Sequence, residues 1–474
     1  MIISGSFIRG AQLTSVTSSA PVPPTPPPVP EPTAFWINTA TNPLATLSFQ
    51  ADLSLRFSVK DPNGNIYSAS YFSNATNTCI GWTRFDSTGN LVGSYPIYYA
   101  PSNAVNMTST TGALQLDSTG NVYLLGSFGL DAALFKTTSQ GNVIYAKRYV
   151  NGNTDIARGF VLDSSNANIY IASDTRTSNN IVQFSVMKVS ANTGNIVWQK
   201  SANVPGQTTN SQGAAYGIDI APDGNIVVSG RSRTVARGTA QCGLVMKINP
   251  EGNIVWQNWY TANAGSTSEL GRYCKVDSTT GNIFFAGQRQ SAFMGLLLDS
   301  TGNIIWQKQG VDFTDFTASF IPSFDNGGNV WVASTIDGVN AAPLLKFEAS
   351  TGANLLQRTL QFDGFNDGNG RPMYFNVLFN NDYSGFTLPG GGTSPVGNLV
   401  IARLPSNGAG TGNYVASGNK NISYYDVTIP VMAAGNLSRF PANMVFYNSA
   451  VTAQDISNLT ATTGTLTLTK TTVS

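Results

Sequence analysis

The chain has 474 residues, with 26 Lys plus Arg against 25 Asp plus Glu, a net charge of +1 and no histidine. That balance excludes a surface built to hold nucleic acid or anionic lipid by bulk charge, and the missing imidazole removes the commonest general base and transition-metal ligand. Cys79, Cys242 and Cys274 stand far apart without metal-ligand spacing, so they read as buried thiols; no metal site and no cofactor is expected.

Residues 1–20 carry an apolar run broken by Ser4, Gly5, Ser6 and Arg9, with no basic segment ahead of it. It is poor as a secretion signal and too short to span a bilayer, so no membrane insertion is expected. Residues 21–33 hold Pro21, Pro23, Pro24, Pro26, Pro27, Pro28, Pro30 and Pro32, a composition that favours a stiff polyproline II spacer. A short peptide held off a larger body by such a spacer reads as an attachment peptide.

From residue 34 two turn-centred phrases alternate. The first is Asp117–Gly126, with relatives at Asp61–Ser70, Asp163–Ser173, Ala221–Gly230, Asp277–Gly287 and Asp325–Ser334. The second is Met246–Gln257, with relatives at Phe85–Val92, Phe135–Tyr145, Lys188–Gln199, Leu298–Gln307 and Phe347–Gln357. Each is apolar alternation, a short polar turn ending in Gly, then alternation again, which predicts a β-hairpin. The turn glycines of the first phrase are Gly64, Gly120, Gly224, Gly281 and Gly328, with Ala167–Asn168 filling the one missing place.

Two hairpins make four strands, and the period of about 47 to 58 residues fits a four-stranded sheet with its loops. Phe375–Leu388 and Leu399–Tyr414 continue the series with degraded turns at Asp382–Gly385 and Gly408–Gly412. Seven units predict an all-β, seven-bladed β-propeller over residues 34–420. Phe35 and Trp36 are placed to lend a strand to the last sheet. Residues 421–474, rich in Thr and Ser, are expected to form a C-terminal β extension packed on the ring or on a neighbour, with a hairpin near Thr463–Thr465.

The longest loops, such as Ser201–Ala214 and Thr261–Gly271, recur between an outer strand and the next inner one, so they belong to one face. Arg158, Arg272 and Arg371 each sit just before an expected inner strand. Three guanidinium groups at one channel mouth suit a carboxylate or phosphate; the competing expectation pairs them with Asp155, Glu269 and Asp367. Arg231, Arg233 and Arg237 read as solvated charges on a crossing loop. Trp198, Trp256 and Trp306 share one place in the repeat, which predicts packing between blades. Asp117, Asp163, Asp277 and Asp299 offer one carboxylate per turn, which suits turn capping better than calcium. No nucleophile–base pair stands out, so no catalytic residue is assigned.

The Asp117–Gly126 phrase, followed by Asp131–Lys136 and Gly141–Tyr145, resembles the SBBP-type bacterial β-propeller repeat. The order recurs at Gly243–Lys247 and Ala342–Lys346. The resemblance covers about residues 50–360 and implies a propeller of surface or extracellular type. Ser190–Trp198 is similar to the Asp-box hairpin of sialidase-like propellers, but with Asn192 for the Asp and one extra residue before Trp198. The Pro-spaced N-terminus and the Thr/Ser/Asn-rich body also resemble structural proteins of tailed bacteriophages. This implies a structural and binding protein of a virion exterior, joined to other virion proteins through residues 1–20 and contacting a host-surface glycan or protein. A sialidase-like glycan hydrolase or a secreted bacterial adhesin is the alternative.

Overall fold

In the computed structural model the chain is all β, and its sheets form a seven-bladed β-propeller. The structure describes the strands and the tight turns between them, all within residues 36–472. Residues 1–35 and the longer connections, among them 100–112, 204–212, 311–320 and 363–372, lie outside the described residues, as do the attachment peptide, the spacer and Thr463–Thr465.

Blade 3 shows the pattern. Asp155–Leu162 lines the axis, followed outward by Asn168–Arg176, Val182–Ser190 and Ile196–Asn203, every pair antiparallel. The middle strands are buried on both faces because a blade is sandwiched between its neighbours. The clusters reflect this: Tyr170, Phe184 and Val186 of blade 3 pack with Ile226, Val228 and Met246 of blade 4.

The turns fold as their Asp-x-x-Gly-Asn wording dictates. Asp117 Oδ1 accepts from the backbone N–H of Thr119 at 3.0 Å and of Asn121 at 2.9 Å, and Oδ2 accepts from Asn121 Nδ2 at 2.9 Å. Gly120, at φ 82°, closes the turn onto the Asp117 carbonyl. Gly64, Gly224, Gly281 and Gly328 also have positive φ. In blade 3 the left-handed place falls on Asn166 (φ 57°), one residue before the expected Ala167–Asn168; asparagine tolerates it better than most residues with a Cβ. In blade 7 it falls on Tyr383, so the turn runs Asn380–Tyr383 and Gly385 already opens the next strand.

These turns carry a pH dependence. Burial disfavours the charged forms of Asp86, Asp117, Asp163, Asp299 and Asp325, but the hydrogen bonds they accept outweigh it and hold each below the usual carboxylate range. A depressed folded-state pKa gives stability that is complete above the unfolded value and lost as pH falls through the folded one. Denaturant midpoints are therefore expected to fall steadily on acidification below about pH 4. Asp174, raised by burial despite Arg158, works in the opposite direction. A midpoint flat from neutrality to pH 2.5 would contradict the assignment.

Ring closure uses both ends of the chain. Trp36–Thr41 pairs with Asn398–Pro405 and supplies the outer strand of blade 7. The tail then runs backwards around the rim, adding one antiparallel strand per blade. Lys420–Asp426 joins blade 6, Val431–Ala434 blade 5, Leu437–Pro441 blade 4 and Val445–Asn448 blade 3. Thr452–Asp455 joins blade 2, Leu459–Ala461 blade 1, and Thr469–Thr472 covers Trp36–Thr41 in blade 7. Gly412–Ala416, read from the sequence as part of the seventh unit, pairs with Lys420–Asp426 on the rim of blade 6 instead. The N-terminal strand already fills its place in blade 7.

Candidate functional site: an arginine group at the channel

The inner strands of all seven blades surround a channel cavity of about 400 Å³. In blades 3, 4 and 5 the inner strand carries a β-bulge at one shared position, and the bulged residues are Arg158, Tyr216 and Arg272. A bulge adds a residue to one strand and re-aims its side chain. Here three successive blades aim theirs at one another: the Arg158 and Arg272 guanidinium carbons each lie 4.8 Å from the Tyr216 ring centroid. Cation–π attraction stabilises both positions.

A second row comes from the neighbouring strands, where Asp174 pairs with Ile156, Arg231 with Ala214 and Gln288 with Leu270. Arg231 reaches the same ring at 5.5 Å. Asp174 belongs to Arg158, accepting from its Nε at 2.9 Å and from Nη2 at 2.5 Å. Arg231 and Arg272 have no such share: the Nε of each is buried without a hydrogen-bond partner among the described residues. Burial, reinforced by the like charges of Arg272 and Arg158, holds the Arg231 guanidinium below its ordinary pKa.

Close backbone approach sets this geometry. A Cβ on Gly271 would lie 2.0 Å from the Gly230 carbonyl oxygen, and one on Gly230 1.9 Å from the Ala214 carbonyl oxygen. These glycines precede Arg272 and Arg231, and Ser229 Oγ donates to the Arg272 carbonyl at 3.0 Å. Further along the inner strands, Lys275 pairs with Asp219 at 3.0 Å, and Lys60 donates to Asn380 Oδ1 at 3.0 Å.

Of the three arginines marked in the sequence, Arg158 and Arg272 meet here, and Arg371 lies outside the described residues. Arg158 takes Asp174 as a partner, and the expected pairing with Asp155 falls on a side chain outside the described residues. Arg231 is not a solvated loop charge. It lies on the strand Ile226–Arg233 and joins the group. The legible signal was its place directly after the Ala221–Gly230 phrase, where blade 3 has Asp174.

Trp198, Trp256 and Trp306 stand at blade boundaries. Their indole N–H groups donate to the carbonyls of Pro250, Ser300 and Ala349, each in the outer turn of the next blade. Asp117, Asp163 and Asp299 use their carboxylate oxygens on their own turns, and among the described residues no three Asp, Glu, Cys or His side chains gather as metal ligands. Burial pushes the Cys274 thiol up to about 12, which makes it a packing residue and not a nucleophile.

No family model and no curated protein matches the chain. Among solved structures it is similar to the polysaccharide lyase Uly1, at 11% identity and a TM-score of 0.47, over 74% of this chain and 89% of that one. It is also similar to the periplasmic gluconolactonase PpgL of Pseudomonas aeruginosa, at 10% identity and a TM-score of 0.44, over 69% and 96%. A protein of unknown function from Bacteroides caccae matches at 10% identity and a TM-score of 0.36, over 68% and 94%. Similarity at this level carries neither activity nor substrate to the present chain.

Proposed function

We propose that this propeller is a structural and binding protein of a virion exterior, fixed to neighbouring virion proteins through residues 1–20 and offering its loops to a host-surface glycan or protein. The observation that carries the binding role is the ring itself, closed once by Trp36–Thr41 and again by a belt on all seven blades. Such a frame is the rigid scaffold on which recognition loops are normally carried. The virion setting rests on the Pro-spaced N-terminus and the Thr/Ser/Asn-rich body.

Hydrolysis is the weaker reading. A sialidase-like site needs a nucleophile and a free carboxylic acid beside its arginines, and among the described residues the carboxylate in this group, Asp174, is held by Arg158. Deleting residues 1–20 is expected to leave a folded, soluble disc that no longer joins the assembled particle. Incorporation at the full-length level would overturn the attachment role.

A further inference from the structure

We propose that Arg231, Arg272 and Tyr216 form a binding site for an oxyanion, a carboxylate or phosphate group, carried by a small ligand whose remainder lies in the central channel. The inference rests on the binding reading above and gives its channel a ligand chemistry.

Charge is the first argument. Three guanidinium groups converge on one aromatic ring, and among the described residues the group holds one carboxylate, Asp174, already committed to Arg158. Arg231 and Arg272 are left largely removed from water without a hydrogen-bonded carboxylate, Asp174 acting on Arg231 only through space. Burying a charge without a partner is costly, and an arriving anion relieves that cost twice.

Geometry is the second. The Nε atoms of Arg231 and Arg272 are buried and unpartnered. Nε with one Nη forms the side-on edge by which a guanidinium grips two oxygens of a carboxylate or phosphate at once. The arginines approach one ring from neighbouring strands, which brings two unpartnered guanidinium groups to the same place. Tyr216 fixes both and is also part of the channel wall, which places the remainder of the ligand in the cavity of about 400 Å³. That volume lies within the ordinary range for small-molecule sites.

Preorganisation is the third. Arg272 is anchored through its carbonyl by Ser229, and close backbone approach leaves no room for a Cβ at Gly271 or at Gly230. Holding guanidinium groups rigidly reduces the ordering cost of binding.

The test is calorimetric titration of the full chain at low salt with glucuronate, glucose 6-phosphate and glucose. Binding of glucuronate, glucose 6-phosphate or both, with none of glucose, is expected, and the two acidic arms separate carboxylate from phosphate. Arg231→Gln and Arg272→Gln should each weaken binding about tenfold or more, the loss that follows removal of a charge-assisted hydrogen bond. Arg148→Gln, on the rim, should not. Should the glutamine variants unfold, Arg231→Lys and Arg272→Lys keep the charge while losing the two-point grip, and weaker binding by these folded variants counts in favour. No binding of either acidic sugar, or binding that survives all four substitutions, overturns the site. Either result leaves the particle-attachment experiment untouched, so the two readings fail separately.

Discussion

Truncation after Gly418 is expected to turn a monodisperse disc into one that associates through its rim and unfolds at a lower temperature. The removed residues supply an antiparallel strand to every blade. Without them the strands at the rim, from Leu91–Tyr99 in blade 1 to Asn354–Phe362 in blade 6, present unpaired N–H and C=O groups. Open edges of this kind pair with other chains. The risk is sharpened by Ile144, Val197, Val255 and Ile305, which sit on those strands and are 43–56% exposed. Each lost ladder hydrogen bond is worth about 0.5–1.5 kcal/mol net, so even after offsetting the entropy of ordering the tail, a loss of several kcal/mol is expected. Light scattering after size exclusion, with thermal melts, checks both parts. A truncated protein that stays monomeric with an unchanged melt would show that the belt merely decorates the ring. Truncation after Asp455, which removes only the strands on blades 1 and 7, should give an intermediate result.

The second large effect separates two kinds of turn glycine. Gly224 and Gly302 have nearly the same backbone, φ 79° and 84°. A Cβ on Gly224 would meet nothing within 4 Å, whereas one on Gly302 would meet Asn258 Nδ2 at 2.6 Å and the Trp256 ring at 3.0 Å. Gly224→Ala should therefore cost only the left-handed strain, about 1–2 kcal/mol. Gly302→Ala should add overpacking of about 1–3 kcal/mol and disturb the boundary between blades 4 and 5. The same aromatic-on-glycine contact joins Tyr95 to Gly141, Trp198 to Gly252 and Trp306 to Gly352. Urea unfolding of the two variants decides the matter: equal losses would mean that strain alone selects glycine in the outer turns.

What could be read from the sequence was whatever repeats locally. Each hairpin writes its turn and alternation within a dozen residues, so blade number and turn chemistry were legible, as was the closing role of Trp36. The belt was not. Its strands, three to seven residues long, pair with partners up to several hundred residues away, so their pairing is not written in neighbouring sequence. Gly412–Ala416 was misplaced because it forms a local hairpin with Lys420–Asp426, and the blade that hairpin joins is set by the distant pairing of Lys420–Asp426 with Asn354–Phe362. At the site, Arg158 and Arg272 were visible because they share a place in the repeat. Arg231 was obscured by two further arginines, Arg233 and Arg237, that suggested a charged loop.

The seam in blade 7 has a mechanical consequence. Trp36 stands directly opposite Thr472, so the described chain enters and leaves the ring at a single point of its circumference. Tension between those ends would not stretch the disc across its diameter. It would open one short antiparallel ladder from its end, a pair at a time, and then peel the tail from blade 1 onward, while the inner strands around the axis carried no load until the rim had been stripped.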